Sequence, residues 1–369
     1  MNQPQDHFPE RRRRVRRRRA IAAAALGLII VGAVATVYLL NRRHNVVVVH
    51  VAAKVHDAPT EAAPTKPAPS GEYPAAPGAP SLERVKAELA AAEGKRTSPS
   101  SSTATHTGAN SGVLDAGAEG SFRRLAASMS GHVELAVLPF SASASVTLGG
   151  DEPAHGWSTT KVPVLVSLLR ARGASGLTAQ ERSWAQSAIT ESSNESVLAL
   201  FSDLERLEGG LAGASRYMER VLRLGGDTAT TVATAPPPAG AVTTFGQTEW
   251  SPDEAARFFR SLALGCLLPS TQTSYVLGLM QRIVPSESWG LGSAGFSSVA
   301  FKGGWGPERG GYLVRQSGIV DPTSSRGVAV AIVAVAPSFS VGTEMLTRTA
   351  SWLSRHLRPS AGASAGCAR

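Results

Sequence analysis

The alternation of apolar and polar positions separates an unpatterned first third of the chain from a patterned remainder. Residues 20–40 form a continuous apolar run without a charge, long enough as a helix to cross a hydrocarbon layer of about 30 Å. A short β-branched run follows at 46–51, and residues 58–110 are poor in aromatics and rich in Pro, Ala, Ser, Thr and Gly. Apart from one short helical pattern at 82–92, that composition builds no core and predicts an extended or disordered spacer.

Beyond residue 111 the pattern changes. Helical spacing at 121–129 is followed by two short runs, 133–139 and 144–148, that read as a hairpin pair of strands. Residues 161–223 are mainly helical, with breaks at 173–177 and 208–213, and 228–246, containing Pro236-Pro237-Pro238, reads as loop. Helices are expected again at 252–264 and 274–283, strands at 299–301, 312–320 and 327–335, and a closing helix at 343–356. Strands at both ends with helices between predict an α+β domain: one antiparallel sheet flanked by helices, an all-helical insertion, and a cleft between the two.

The 369 residues therefore divide into an Arg-rich tail (1–19), a transmembrane helix (20–40), a linker (41–110), one domain (111–359) and a disordered tail (360–369). A domain of about 250 residues can bury one sizeable core, or two subdomains sharing a cleft.

Net charge sharpens the membrane reading and removes a nucleic-acid one. The formal charge is +9, but ten arginines (Arg11 to Arg14, Arg16 to Arg19, Arg42 and Arg43) flank the apolar run, and without them the chain carries −1. Eight precede the run and two follow it, so the positive-inside bias puts the amino terminus in the cytoplasm and the domain outside, at the plasma membrane. The run exceeds a usual signal-peptide core, and Asn41-Arg42-Arg43-His44 stands where a cleavage site would be, which favours a retained single-pass anchor.

Past Lys95 the chain has two lysines, Lys161 and Lys302, although arginine is abundant. Arginine replaces lysine where only a solvated charge is wanted, but it cannot serve as a proton acceptor in a protein. Ser158-Thr159-Thr160-Lys161 opens a helical run, so Ser158 and Lys161 fall one turn apart on the same face. A serine becomes a nucleophile when a neighbouring base takes its proton, and a desolvated lysine can be that base. Ser192-Ser193-Asn194 begins another helix, where Ser and Asn are also ordinary caps. Phe301-Lys302-Gly303-Gly304-Trp305-Gly306-Pro307 sits at the end of an expected strand, with glycines that admit a substrate backbone or simply make a turn.

In this order the three motifs resemble the S-x-x-K, S-D-N and K-T-G set of the class A β-lactamase and penicillin-binding-protein superfamily. The resemblance spans residues from about 131 to the final helix. It implies a serine hydrolase fold with the site where sheet and helical subdomain meet. It further implies that Ser158 is acylated, Lys161 accepts its proton, Ser192 relays a proton and Asn194 holds a substrate amide. Lys302 would supply positive charge near the substrate carboxylate, with Gly303, Gly304 and Trp305 lining the substrate. The oxyanion hole would come from the N–H groups of Ser158 and Trp305. The expected partner is a β-lactam or a peptidoglycan peptide.

The sequence departs from the family at three places. Ser193 stands for Asp in the second motif, and Gly303 for the hydroxyl residue of the third. The loop that carries a deacylating Glu in β-lactamases has no acid between Asp227 and Glu249. Glu249 is the nearest substitute, although its place just before the Ser251-Pro252 helix start is equally explained by the helix dipole. The expectation is an enzyme that acylates and is slow to deacylate; the alternative is an inactive descendant that binds cell-wall peptides. A Ser-His-Asp hydrolase has little support, because the patterned region offers His132, His155 and His356 without a G-x-S-x-G elbow. No ligand-spaced cluster indicates a metal, and no cofactor is implied. Cys266 and Cys367 could pair outside the cytoplasm, or remain separate.

Overall fold

The computed structural model describes residues 112–238, 241–358 and 366–367. The arginine-rich tail, the apolar run and the linker lie outside the described residues. Among the described residues no helix is long and apolar enough to cross a membrane.

The predicted α+β architecture is present. After helix α1 (Ala118–Ala127) come strands β1 (His132–Pro139) and β2 (Val146–Leu148), and after the helical part come β5 (Val299–Glu308), β6 (Gly311–Val320) and β7 (Val328–Ala336). These five form one antiparallel sheet in the order β2-β1-β7-β6-β5, so chain segments far apart in sequence meet at β1 and β7. The sequence of β7, VAVAIVAVA, is buried along its length, as a strand covered on both faces requires. Its alternate residues serve different cores: Ala329 and Ala331 face the helical part, while Val328, Val330 and Ile332 face the terminal helix α8 (Phe339–His356) and α1.

Between the strands lie α2 (Lys161–Arg172), α3 (Ala179–Thr190), α4 (Asn194–Glu208), α5 (Leu211–Leu224), α6 (Pro252–Ala263) and α7 (Ser270–Met280). Helix α2 is buried continuously from Lys161 to Leu169, which identifies it as the central helix of this part, packed against α4, α5 and α7. Local chemistry fixes the helix starts. Thr178 and Glu181 form a reciprocal capping box at α3, and Ser251 caps α6 with Pro252 in its first turn. Helix α6 packs on β1, β7 and β6 and thereby joins sheet to helices.

Two features depart from the expectations. The strand expected at 299–301 runs on to Glu308 as the edge strand β5, so of the two readings open for glycines 303, 304 and 306 the turn is not made. A second, two-stranded sheet joins β3 (Ala154–His155) to β4 (Glu249–Trp250). Strands of two residues have no period to detect. Of the two readings open for the cysteines, the structure has the bridge, Cys266–Cys367, closing a sequence separation of 101.

Candidate active site

Ser158 lies in a 3-10 helix, Trp157–Thr160, that runs directly into α2 at Lys161. The preceding Trp157 has φ 44°, a left-handed conformation costly for a bulky side chain and found where surrounding structure imposes it. Several neighbours do so here. Gly156 N–H donates to Thr248 O at 2.8 Å, and the Trp157 ring lies over Gly306 of β5, where an added methyl would come within 2.3 Å of it. Gly304 has the same kind of constraint, since a methyl there would stand 2.8 Å from the Ser158 backbone nitrogen. The glycines of the third motif thus allow the edge strand to approach the serine helix closely.

Buried Arg315 on β6 supports the same wall. It sits opposite Gly304, and its Nη1 donates to Ala154 O, His155 O and Trp250 O at 3.1, 3.2 and 3.0 Å, tying the β3–β4 pair to the main sheet just before Gly156. Burial pushes its guanidinium down to about 10. Its Nε and Nη2 have no protein acceptor.

The second motif divides its labour. Ser193 is the N-cap of α4, its Oγ accepting from Ser196 N–H at 3.2 Å, while Ser192 and Asn194 on either side turn to the lysines. Asp and Ser are interchangeable in capping, so a serine at this position keeps the helix start. Lys161 Nζ donates to Asn194 Oδ1 at 2.7 Å, to Ser192 Oγ at 3.2 Å and, over a short distance, to Ser192 O. Lys302 Nζ donates to the same Ser192 Oγ at 2.8 Å. One hydroxyl therefore joins the two lysines, and both are buried. Ser192 itself has φ 57°, the backbone turn that directs it between them.

The structure thus brings Lys161, Ser192, Asn194 and Lys302 into one bonded cluster, with Ser158 one helical turn before Lys161. Trp305 is turned the other way. Its ring packs with Trp289 and Phe339 at centroid distances of 6.0 and 5.4 Å on the opposite face of the sheet, leaving its backbone as the part that can serve the site. Asp227 is buried and holds the loop that follows, accepting from Trp250 Nε1–H, Thr230 N–H and Arg223. Glu254 accepts from Thr228 N–H and Oγ–H, and burial, with Asp227 nearby, raises its pKa. Glu249 is exposed on β4, opposite His155.

Glu287 is a site residue that motif reading missed. It ends a 3-10 helix, Pro285–Glu287, and its buried carboxylate forms an ion pair with Lys302 at 3.2 Å. Nothing in the order of residues marks it, because the pairing is set by the approach of that turn to β5. Trp289, two residues on, sits where a side chain at Gly303 would go; a methyl there would be 3.0 Å from its ring. Among the described residues no cluster of three His, Cys, Asp or Glu side chains is placed to hold a metal ion.

This fold is that of the class A β-lactamases and of PBP-A. A class A β-lactamase from Mycobacterium abscessus matches with a TM-score of 0.53 at 17% identity, over 64% of this chain and 98% of that one. PBP-A matches at 0.50 and 20% identity, over 64% and 94%, and a β-lactamase from Streptosporangium roseum at 0.51 and 17%, over 64% and 97%. No protein-family model matches the chain, and no curated protein matches it in sequence.

Proposed function

We propose that the chain is a membrane-anchored, extracytoplasmic serine acyl transferase or hydrolase, related in chemistry to β-lactamases and penicillin-binding proteins. Ser158 Oγ attacks a carbonyl carbon and passes its proton to Lys161 Nζ, which takes it as an amine once one of its three donated hydrogen bonds, and that proton, has been given up. The tetrahedral oxyanion is held by the N–H groups of Ser158 and Trp305. As the carbon–nitrogen or carbon–oxygen bond breaks, the proton moves through Ser192 to the leaving group and an acyl-Ser158 ester remains. Asn194 uses its Oδ1 on Lys161, which leaves its NH₂ group to hold a substrate amide.

The observation that carries this reading is the Ser192 hydroxyl shared by two buried lysines beside the Ser158 helix. An oxygen that accepts from both still has its own hydrogen to give to a third partner, which is what a proton relay requires. Deacylation is proposed to be slow. The sequence between Asp227 and Glu249 has no acid, Asp227 and Glu254 anchor the loop, and Glu249 is exposed. The residues flanking the apolar run support the anchor. Incubation with a β-lactam, followed by intact-mass measurement over hours, tests the reading: a persistent single adduct is expected, and one that clears within seconds contradicts it.

A second reading, a non-catalytic module that binds cell-wall peptides, is favoured by the Lys302–Glu287 pair, which occupies a cation otherwise open to substrate. Titration of muropeptides against wild type and Ser158→Ala separates the two. Turnover lost in the variant supports the enzyme, and binding without turnover in both supports the module.

A further inference from the structure

We propose that Glu287 sets the charge selectivity of this site, so that it accepts neutral acyl donors and turns away those with a carboxylate beside the scissile bond. The inference rests on the acyl-transfer reading and names its substrate class: an internal peptide bond, an amidated peptide or an ester.

A lysine ammonium has three N–H donors. Those of Lys302 are taken by Ser192 Oγ at 2.8 Å, Gly303 O at 3.1 Å and Glu287 Oε2 at 3.2 Å. Glu287 is 2% exposed, and its second oxygen, Oε1, is buried without a protein donor. The pair is therefore neutral as a whole, with an unfilled acceptor and no unfilled donor. An incoming carboxylate would have to share one ammonium with the carboxylate already bound, and like charges at such separations repel strongly where water is scarce.

The surrounding residues offer no second place for an anion. Gly303 supplies no hydroxyl, and Trp289 fills the space a side chain would need. Arg315, on the face of the sheet that carries Lys302 and Gly304, has its Nη1 on the carbonyls of the β3–β4 pair, and although its Nε and Nη2 have no protein acceptor, the side chain is fully buried and closed to an incoming anion. Lys161 donates to Ser192 and Asn194.

Benzylpenicillin, whose carboxylate adjoins the β-lactam nitrogen, and its neutral methyl ester share one reactive ring and form a matched pair of probes. With the full-length protein, acylation rates for both are read by intact mass. In wild type the ester is expected to react faster than the acid. In Glu287→Gln, which keeps the shape and removes the charge, the acid-to-ester rate ratio is expected to rise at least about tenfold. An unchanged ratio in a folded variant overturns the proposal, as does a wild type that prefers the acid. If neither probe forms an adduct, the acyl-transfer reading falls and the selectivity falls with it. Should Glu287→Gln lose its cooperative thermal transition, the wild-type preference decides alone.

Discussion

Lys302 Nζ stands 2.8 Å from Ser192 Oγ, although 110 positions separate the two residues in sequence. This bond crosses from the edge strand β5 to the start of α4, and it closes the site between sheet and helices. Its partner on the other side is Lys161, so a change at Ser192 reaches both cations at once.

Ser192→Ala removes the shared oxygen while Asn194 still holds Lys161. Loss of a positioned proton relay lowers rates by about 10²–10⁴-fold. The acylation rate of Ser158, followed by rapid-quench mass spectrometry, is expected to fall within that range. A loss below about tenfold would remove Ser192 from the mechanism.

Gly304→Ala tests the close approach of β5 to the serine helix. Its methyl would meet the Ser158 nitrogen at 2.8 Å and Gly156 O at 3.0 Å, both backbone atoms. The strand must move, at a cost of about 1–3 kcal/mol. Both the denaturation midpoint and the acylation rate should drop; a variant as stable and as reactive as wild type would contradict the described packing.

The domain carries a pH dependence at Asp151. Its carboxyl accepts from Asp253 N–H at 2.7 Å and Ser251 Oγ–H at 3.1 Å, and burial raises it from 3.8 to about 6. A raised value means that the folded state holds the proton more tightly. Its contribution to stability is therefore full below pH 3.8 and lost as pH rises through about 6. Glu254 is shifted in the same direction. Melting temperatures measured from about pH 4 to pH 7 should decline less steeply in Asp151→Asn than in wild type. Equal slopes would exclude Asp151 as a source.

Reduction of Cys266–Cys367 opens a link between residues 101 apart. A native bridge stabilises by about 2–5 kcal/mol, more for longer loops, chiefly through the unfolded chain. Denaturation with and without reductant should differ by that amount, and Cys266→Ser should match the reduced protein. No difference would mean that the bridge contributes nothing to folding.

Much of the fold was legible because its main elements are long: the unbroken apolar run of β7 and the apolar run of α2 appear directly in the sequence. The lysine scarcity pointed to Lys161 and Lys302, and the structure bonds both to Ser192. The Ser192-Ser193-Asn194 segment illustrates how two readings can both apply, since Ser193 caps the helix while its neighbours hold lysines. What was not legible depends on approach in space. The glycines of β5 read as a close approach of substrate or as a turn, and the sequence could not show the actual reason, because Trp157 and Trp289, the groups packed against them, lie on other segments. Glu287 gave no signal for the same reason, and the left-handed Trp157 follows no turn pattern.

The central claim is that Ser158 is an acylated nucleophile. Peptide mapping after incubation with benzylpenicillin and its methyl ester tests it most directly. A single adduct on Ser158, absent from a folded Ser158→Ala protein, is the predicted result; no adduct with either probe, or one that persists in the variant, would contradict it.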